Sequence, residues 1–256
     1  MKHIEIIGCE GAGKTYLAGK IFAHKELLDN RFVNLNEARD IVSYKILKDM
    51  NINRIYEYCI SRSKFVSKAY TYKYYRKEKK QLLWENRNYW KNYFSSIFNT
   101  SFNVEDISLL YFRYRWVGDK IELYESLNKY LIDKVLLDDS MIIHKTADLI
   151  MTLKEKDIYR YCNTIIVNTP YPNAIIYIDY DSNTIKNHFV SRENAYLLKK
   201  SYRYTGKKIE DKIIIEKYIY DSIYKRAIKL GVPVYRIIDR DDIDIYSIAK
   251  FINKVC

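Results

Sequence analysis

The chain has 256 residues, 48% of them hydrophobic, which suits one large globular domain or one core that carries an insertion. No apolar run reaches the roughly 18 residues that a membrane span needs, and the N-terminus lacks the pattern of a secretory signal. The four cysteines are scattered, without a CxxC pair or a metal-ligand spacing: Cys9, Cys59, Cys162 and Cys256. We therefore expect free thiols in a cytoplasmic protein without a membrane partner.

The charge is strongly positive, because 44 Lys plus Arg residues outnumber 32 Asp plus Glu residues and give a net charge of +12. A field of this sign attracts polyanions such as nucleotides, nucleic acid or acidic membrane surfaces. The chain is also rich in Tyr, Ile, Asn and Lys and has only seven Gly and three Pro. This composition indicates a codon bias toward A and T, which raises the Lys content whatever the function. Nucleic acid is therefore the less favoured partner.

Strand-like and helix-like segments alternate along the chain. Five short runs rich in Ile and Val have the length of strands, at residues 4–7, 32–35, 135–137, 174–178 and 234–238. Segments with helical periodicity lie at residues 14–28, 38–50, 120–132, 141–153, 209–230 and 243–255. This alternation predicts an α/β fold with a five-stranded, mostly parallel sheet flanked by helices.

The first predicted strand leads directly into the pattern GxxxxGK[ST], formed by Gly8, Cys9, Glu10, Gly11, Ala12, Gly13, Lys14 and Thr15. Glycine adopts the backbone conformations that let successive N–H groups point at phosphate oxygens, and the following helix adds its positive N-terminal end. Lys14 is expected to reach the β- and γ-phosphates, and the Thr15 hydroxyl to bind Mg²⁺. The motif predicts a P-loop (Walker A) NTPase fold that binds a nucleoside triphosphate, ATP or GTP, with Mg²⁺. A guanine-reading Asn-Lys-x-Asp motif is absent at the fourth predicted strand.

Two acids, Asp138 and Asp139, end the third predicted strand. A carboxylate at this position of a parallel sheet lies in the ligand crevice and can hold Mg²⁺ through its water shell. Asp138 is the favoured metal-linked acid, with Asp139 sharing or replacing it. The alternative is structural, since Asp139 or Ser140 can cap the helix that follows.

Glu37 and Arg39 follow the second predicted strand and are expected to face the same crevice. Glu37 is the candidate general base for an acceptor hydroxyl, and Arg39 a candidate ligand for a substrate anion. The alternative for Glu37 is a first-turn carboxylate stabilised by the helix dipole.

Residues 53–116 contain no comparable strand and are dense in Tyr, Lys and Arg. We predict a mostly helical insertion between strands two and three. Its tyrosines either pack on the core or form an acceptor or polyanion surface together with the cations. Arg113 and Arg115 are candidate ligands of an acceptor anion, and the alternative is a helix with solvated arginines.

With these features the chain resembles the P-loop kinases of the thymidylate kinase and deoxynucleoside kinase group. The likeness rests on the P-loop, on Glu37, on residues 138–140 and on residues 172–179. The family carries a lid helix with two arginines on the transferring phosphate. In the lid-like region at 181–208, His188 and Arg192 take these positions, so that only Arg192 matches.

The resemblance implies a kinase that transfers the γ-phosphoryl group of ATP to a nucleoside, a nucleotide or a sugar-like acceptor. Its catalytic residues would be Lys14, Glu37, Asp138 and Arg192. Two alternatives stay open: a kinase of 5′-hydroxyl polynucleotide ends, and a nucleotide-dependent regulatory ATPase or binding protein. The oligomeric state also stays open, a homodimer included.

Overall fold

The computed structural model describes residues 1–28, 31–49, 95, 104–193, 209–241 and 243–255. Its strands are β1 (Lys2–Gly8), β2 (Phe32–Val33), β3 (Val135–Asp138), β4 (Ala174–Ile178) and β5 (Val234–Ile237). Its first four helices are α1 (Lys14–Ala23), α2 (Leu35–Asp49), α3 (Val104–Tyr130) and α4 (Ile142–Ile150). The next four are α5 (Glu155–Val167), α6 (Ser182–Glu193), α7 (Ile209–Lys229) and α8 (Ile245–Val255). A short 3₁₀ helix at Lys25–Leu27 follows α1.

The five strands form one parallel sheet in the order β2-β3-β1-β4-β5. In β1, Ile4 pairs with Leu137 of β3 on one side and with Ala174 of β4 on the other. Every residue of β3 and β4 is buried, as expected for strands whose two faces are both covered. The structure confirms the predicted α/β fold with a five-stranded parallel sheet flanked by helices.

The helices divide between the two faces of the sheet. Helices α1 and α8 pack together, whereas α3, α4, α5 and α7 pack against one another in a separate group. The connection that leaves β1 runs toward β2, and the one that leaves β3 runs the opposite way, toward β4. Because crossovers between parallel strands are right-handed, these two connections lie on opposite faces of the sheet. Where the connections from two neighbouring strands diverge in this way, a crevice opens at the carboxyl ends of the strands, and ligands bind there in α/β proteins.

Several element boundaries differ from those predicted from the sequence, and three differences matter most. The second strand ends at Val33 rather than at residue 35, because Asn34 caps helix α2 and Leu35 already begins it. Helix α3 runs without a break through residue 116, so the predicted insertion and the predicted helix at 120–132 join in one helix. Helix α5 is not among the predicted helices. Apart from residue 95, the part of the insertion before residue 104 lies outside the described residues.

No helix in the described part of the chain is long and apolar enough to cross a membrane. Cys9 and Cys162 are buried free thiols, as predicted, whereas Cys59 and Cys256 lie outside the described residues.

Candidate functional site

The loop between β1 and α1 has the backbone of an anion cradle. Gly11 and Gly13 both adopt a positive φ of 88°, which residues with a side chain reach only at a cost. Gly8 lies so close to β4 that a Cβ atom there would stand 2.6 Å from the carbonyl oxygen of Ile178. Gly13 is the N-cap of α1 and contributes no side-chain cap. The first N–H groups of α1 are therefore open to an anion.

Lys14 lies across this loop. Its ammonium group donates hydrogen bonds to the carbonyl oxygens of Gly8 at 2.7 Å and Cys9 at 2.9 Å. Burial lowers the pKa of Lys14, and the nearby Glu216 opposes that shift. The side chain is thus held at the loop, where it can exchange carbonyl partners for phosphate oxygens.

The acids after β3 take different roles. The Thr15 hydroxyl donates a hydrogen bond of 2.6 Å to Oδ2 of Asp139, across the carboxyl ends of β1 and β3. Asp138 turns the other way, and its Oδ1 accepts hydrogen bonds from the backbone N–H of Ser140 at 2.5 Å and from its hydroxyl at 3.1 Å. The geometry therefore favours Asp139 as the partner of Thr15 and gives Asp138 the turn at the start of α4, the reverse of the predicted order.

Thr15 and Asp139 supply hard oxygen atoms, which is the donor type that Mg²⁺ prefers. The described residues contain no cluster of three or more His, Cys, Asp or Glu side chains that could hold a metal alone. Mg²⁺ in proteins often keeps several waters and binds through only one or two carboxylates.

A crevice of about 410 Å³ opens beside the loop. One wall is formed by the glycine-rich loop from Glu10 to Thr15, and the others by Trp116 of α3, by residues along the length of α4 and by the first half of α7. Its charged lining residues are Glu10, Lys14, Asp139, Lys145, Asp148, Lys212 and Glu216. Cations and carboxylates thus alternate around a space large enough for a small polar molecule.

Helix α4 contributes a polar group on one wall. Lys145 donates a hydrogen bond of 2.8 Å to Asp148 and lies 4.9 Å from the ring centroid of Trp116. His144 lies 2.8 Å from the Tyr220 hydroxyl through Nδ1. Burial lowers the pKa of His144 to about 3, so this imidazole is neutral at physiological pH.

The carboxyl group of Glu5, which is buried on β1, contacts the start of helix α4. Glu5 accepts hydrogen bonds from the backbone N–H groups of Ile143 at 3.1 Å and His144 at 2.8 Å, at the N-terminus of α4. It pairs in the sheet with Asp138, another buried acid. Burial raises the pKa of Glu5 to about 8, and the charge of Asp138 adds to that rise. Glu5 therefore fixes the start of α4 relative to β1.

Glu37, the predicted general base, belongs to the start of α2. Its Oε2 accepts the backbone N–H of Asn34 at 3.0 Å, and Asn34 Oδ1 accepts the N–H of Glu37 at 2.9 Å. This reciprocal pair is a capping box. The other carboxylate oxygen of Glu37 lies 3.0 Å from the Lys25 ammonium nitrogen. Glu37 does not line the crevice. The geometry favours the structural alternative over the base.

The predicted substrate arginines do not converge on the crevice in the described part of the chain. Arg39 is half-buried beside Lys120, whose pKa is lowered mainly by burial and further by the charges of Arg39 and Lys145. Arg115 is exposed and pairs weakly with Asp119 at 3.9 Å. The side chain of Arg113 lies outside the described residues.

The predicted lid helix is α6, which brings His188 to the P-loop. Its Nδ1 lies 3.1 Å from the carbonyl oxygen of Gly11. A carbonyl only accepts, so Nδ1 must carry the proton and donate. The side chain of Arg192 lies outside the described residues.

Sequence reasoning missed most of the crevice wall. On α4 a signal is present, because Lys145 and Asp148 have the spacing of a helical ion pair just after the third predicted strand. Lys212 and Glu216 likewise have an i,i+4 spacing on a predicted helix. That these pairs face the P-loop follows from tertiary packing, which no local pattern reveals.

No protein-family model matches the chain, and no curated protein matches it.

Proposed function

We propose that the chain is a phosphotransferase with a P-loop NTPase fold, which binds ATP with Mg²⁺ and transfers its γ-phosphoryl group to a small acceptor. The main support is the 2.6 Å hydrogen bond between Thr15 and Asp139 beside the open start of α1. It joins the Walker A hydroxyl to a carboxylate at the end of the neighbouring strand. This is the arrangement expected of a nucleotide-bound magnesium site.

In this proposal each residue of the loop has a physical task. The N–H groups of the loop and of the first turn of α1 bind phosphate oxygens, and Lys14 moves from its carbonyl partners to the β- and γ-phosphates. Thr15 and Asp139 would hold Mg²⁺. Bound there, the ion supplies positive charge that neutralises the phosphate oxygens.

The acceptor would occupy the crevice between the loop and helices α3, α4 and α7. Trp116 offers a planar apolar surface, and Lys145 and Asp148 offer a cation and a carboxylate on the same wall. This lining suits a small molecule that combines a ring with polar groups, such as a nucleoside, a nucleotide or a sugar-like compound. Glu37 is not retained as the base.

The transfer breaks the bond between the γ-phosphorus and the oxygen that bridges it to the β-phosphate, and ADP leaves with that electron pair. A new bond forms between the γ-phosphorus and the acceptor oxygen. A hydroxyl acceptor passes its proton to a carboxylate of the crevice. Positioning and charge neutralisation account for most of the catalysis in such a reaction, so a dedicated base contributes little.

A thermal-shift screen followed by a transfer assay tests the proposal. A non-hydrolysable ATP analogue with Mg²⁺ should raise the melting temperature, and a true acceptor should raise it further. ATP labelled in its γ-phosphoryl group should then label that acceptor. Lys14→Met should abolish the transfer, and a matched variant of an exposed lysine, Lys229→Met, should not. Nucleotide binding with hydrolysis but without any acceptor would favour the regulatory ATPase, and no nucleotide-dependent shift would refute the proposal.

A further inference from the structure

The start of helix α7 is tied to the P-loop by three charged side chains. The Lys212 ammonium group donates a short hydrogen bond to the Glu10 carboxylate and lies 3.7 Å from Oε1 of Glu216. The other oxygen of Glu216 accepts the backbone N–H of Glu10 at 2.7 Å. All three residues line the same crevice as Lys14. A second cation is thus placed beside the phosphate cradle, from an element far along the chain.

The two carboxylates that hold Lys212 differ in their freedom. The Glu216 side chain is only 9% exposed and its hydrogen bond to the loop backbone fixes it in place. The Glu10 side chain is 44% exposed, so water can replace Lys212 as its partner at little cost. Glu216 is therefore a permanent partner of Lys212, whereas Glu10 is an exchangeable one.

Lys212 keeps its charge in this setting. Burial lowers the pKa of Lys212, but the charges of Glu216 and Glu10 outweigh burial and hold its pKa above the ordinary lysine value. A terminal phosphate carries more negative charge than one carboxylate and offers several acceptor oxygens. An ATP bound in the loop would therefore compete successfully with Glu10 for this ammonium group.

We propose that Lys212 is a second phosphate-binding lysine, which leaves Glu10 when ATP binds and contacts the terminal phosphate. This inference rests on the proposed function and adds a phosphate ligand to it. Lys212 would also add a cation near the terminal phosphate. The resemblance implies two lid arginines, and His188 takes the position of the first. Lys145 also lines the crevice, but its contacts are with Asp148 and Trp116, on the wall that the proposed function assigns to the acceptor.

Binding of Mg²⁺·ATP and Mg²⁺·ADP, measured by isothermal titration calorimetry, tests this role. Lys212→Met should weaken ATP binding by about tenfold or more, the loss expected for one charge-assisted hydrogen bond. ADP binding should change less than about twofold, because ADP has no γ-phosphate. Lys212→Arg should retain most of the ATP affinity. Lys225→Met, which removes an exposed lysine of the same helix, should affect neither nucleotide.

Lys212→Met leaves Glu216 buried without its counter-charge, which destabilises the fold. A second variant that keeps this counter-charge is therefore tested as well. Glu10→Gln removes only the exposed counter-charge of Lys212 and leaves Glu216 in place, so it should tighten ATP binding by a few-fold and change ADP binding less. Equal effects on ATP and ADP, in either variant, would overturn the inference. If Lys14→Met loses both nucleotides while Lys212→Met binds ATP like the wild type, the inference fails and the proposed function stands. A wild-type protein that binds neither nucleotide contradicts both.

Discussion

The glycines around the P-loop give a graded test of the loop geometry. In Gly8→Ala the new Cβ atom would lie 2.6 Å from the carbonyl oxygen of Ile178, which belongs to the backbone of β4 and cannot rotate away. The residue also has a φ of 149°, which alanine rarely adopts. Overpacking costs about 1–3 kcal/mol and a strained backbone about 1–3 kcal/mol. We expect Gly8→Ala to lower the free energy of unfolding by about 2–6 kcal/mol.

Two sister variants separate these contributions. Gly13 has a φ of 88°, but a Cβ atom added there would meet no heavy atom within 4 Å, so Gly13→Ala adds backbone strain alone, about 1–2 kcal/mol. Gly19 is exposed in α1, with no neighbour within 4 Å and no unusual φ. Gly19→Ala should stabilise the protein by about 0.5–1 kcal/mol, because alanine favours the helix.

Differential scanning calorimetry or denaturant unfolding measures the series. For a chain of this size, 1 kcal/mol corresponds to a change in melting temperature of about 2–4 °C. The predicted order of melting temperature is Gly19→Ala above wild type, then Gly13→Ala, then Gly8→Ala. A Gly8→Ala variant as stable as the wild type would refute the close approach of the loop to β4. A strongly destabilised Gly19→Ala would refute the reasoning from Cβ contacts.

Three further predictions concern the acids of the sheet. Asp139→Asn should lower kcat by about tenfold or more and raise the Mg²⁺ concentration needed for activity, whereas Asp138→Asn should mainly reduce stability. If a Mg²⁺ titration showed the larger effect in Asp138→Asn, then Asp138 would be the metal-linked acid. The Glu5 pKa is raised to about 8, so the folded state binds the extra proton and stability falls between pH 6.5 and 8, by at most about 1.4 kcal/mol per pH unit. Urea unfolding should show this decrease of stability with pH in the wild type and not in Glu5→Gln. The same pH dependence in both proteins would contradict the raised pKa of Glu5. Asp179 accepts hydrogen bonds from Lys217 and Arg236, which hold its pKa below the ordinary value although burial opposes them. Asp179→Ala should cost about 2–3 kcal/mol at neutral pH, less as the pH falls below about 4, and a pH-independent cost would argue against the ion pairs.

Below about pH 6.5, two buried histidines have the opposite effect on the pH dependence of stability, so the effect of Glu5 is measured above that pH. Burial lowers the pKa of His3 and of His144 to about 3, so the unfolded state binds more protons than the folded state below pH 6.5. Stability should therefore rise with pH up to about 6.5, and then fall until Glu5 ionises in the folded state near pH 8. In Glu5→Gln the fall above about pH 6.5 should disappear, and the rise below about pH 6.5 should become steeper, because Glu5 opposes the histidines there.

Local patterns in the sequence are sufficient to predict the sheet. The three central strands, β1, β3 and β4, are runs rich in Ile, Leu and Val that are almost entirely buried, so their composition distinguishes them from the helices. Helix α5 also carries a readable signal, since Ile158, Cys162 and Ile165 repeat at helical spacing and are all buried. That signal is diluted by the surrounding polar and tyrosine residues.

For Glu37 the sequence also carries the pattern of a helix-capping role, which the geometry favours over that of a base. Asn34 lies three residues before Glu37, which is the spacing of a capping box, and the pair starts α2 one turn earlier than expected. The predicted ranking of Asp138 and Asp139 depended on how β3 ends. Residues at successive positions of a strand point to opposite sides, and only the three-dimensional arrangement reveals which one faces Thr15.

The contact between Lys212 and Glu10 could not be predicted locally, because 202 positions separate the two residues. It depends on α7 lying beside the loop, which is a property of the packed fold. Such contacts decide which charged residues share a crevice, whereas motifs identify only those that share a segment.

The central claim is that the loop from Gly8 to Thr15 binds a nucleoside triphosphate with Mg²⁺ through Lys14. Titration of Mg²⁺·ATP into the wild-type protein and into Lys14→Ala, with both proteins checked for cooperative unfolding, tests this claim most directly. We expect saturable one-to-one binding to the wild type and a loss of about 100-fold or more in Lys14→Ala, since the lysine would contact two phosphates. Equal ATP affinity in the two folded proteins, or no binding by the wild type, would contradict it.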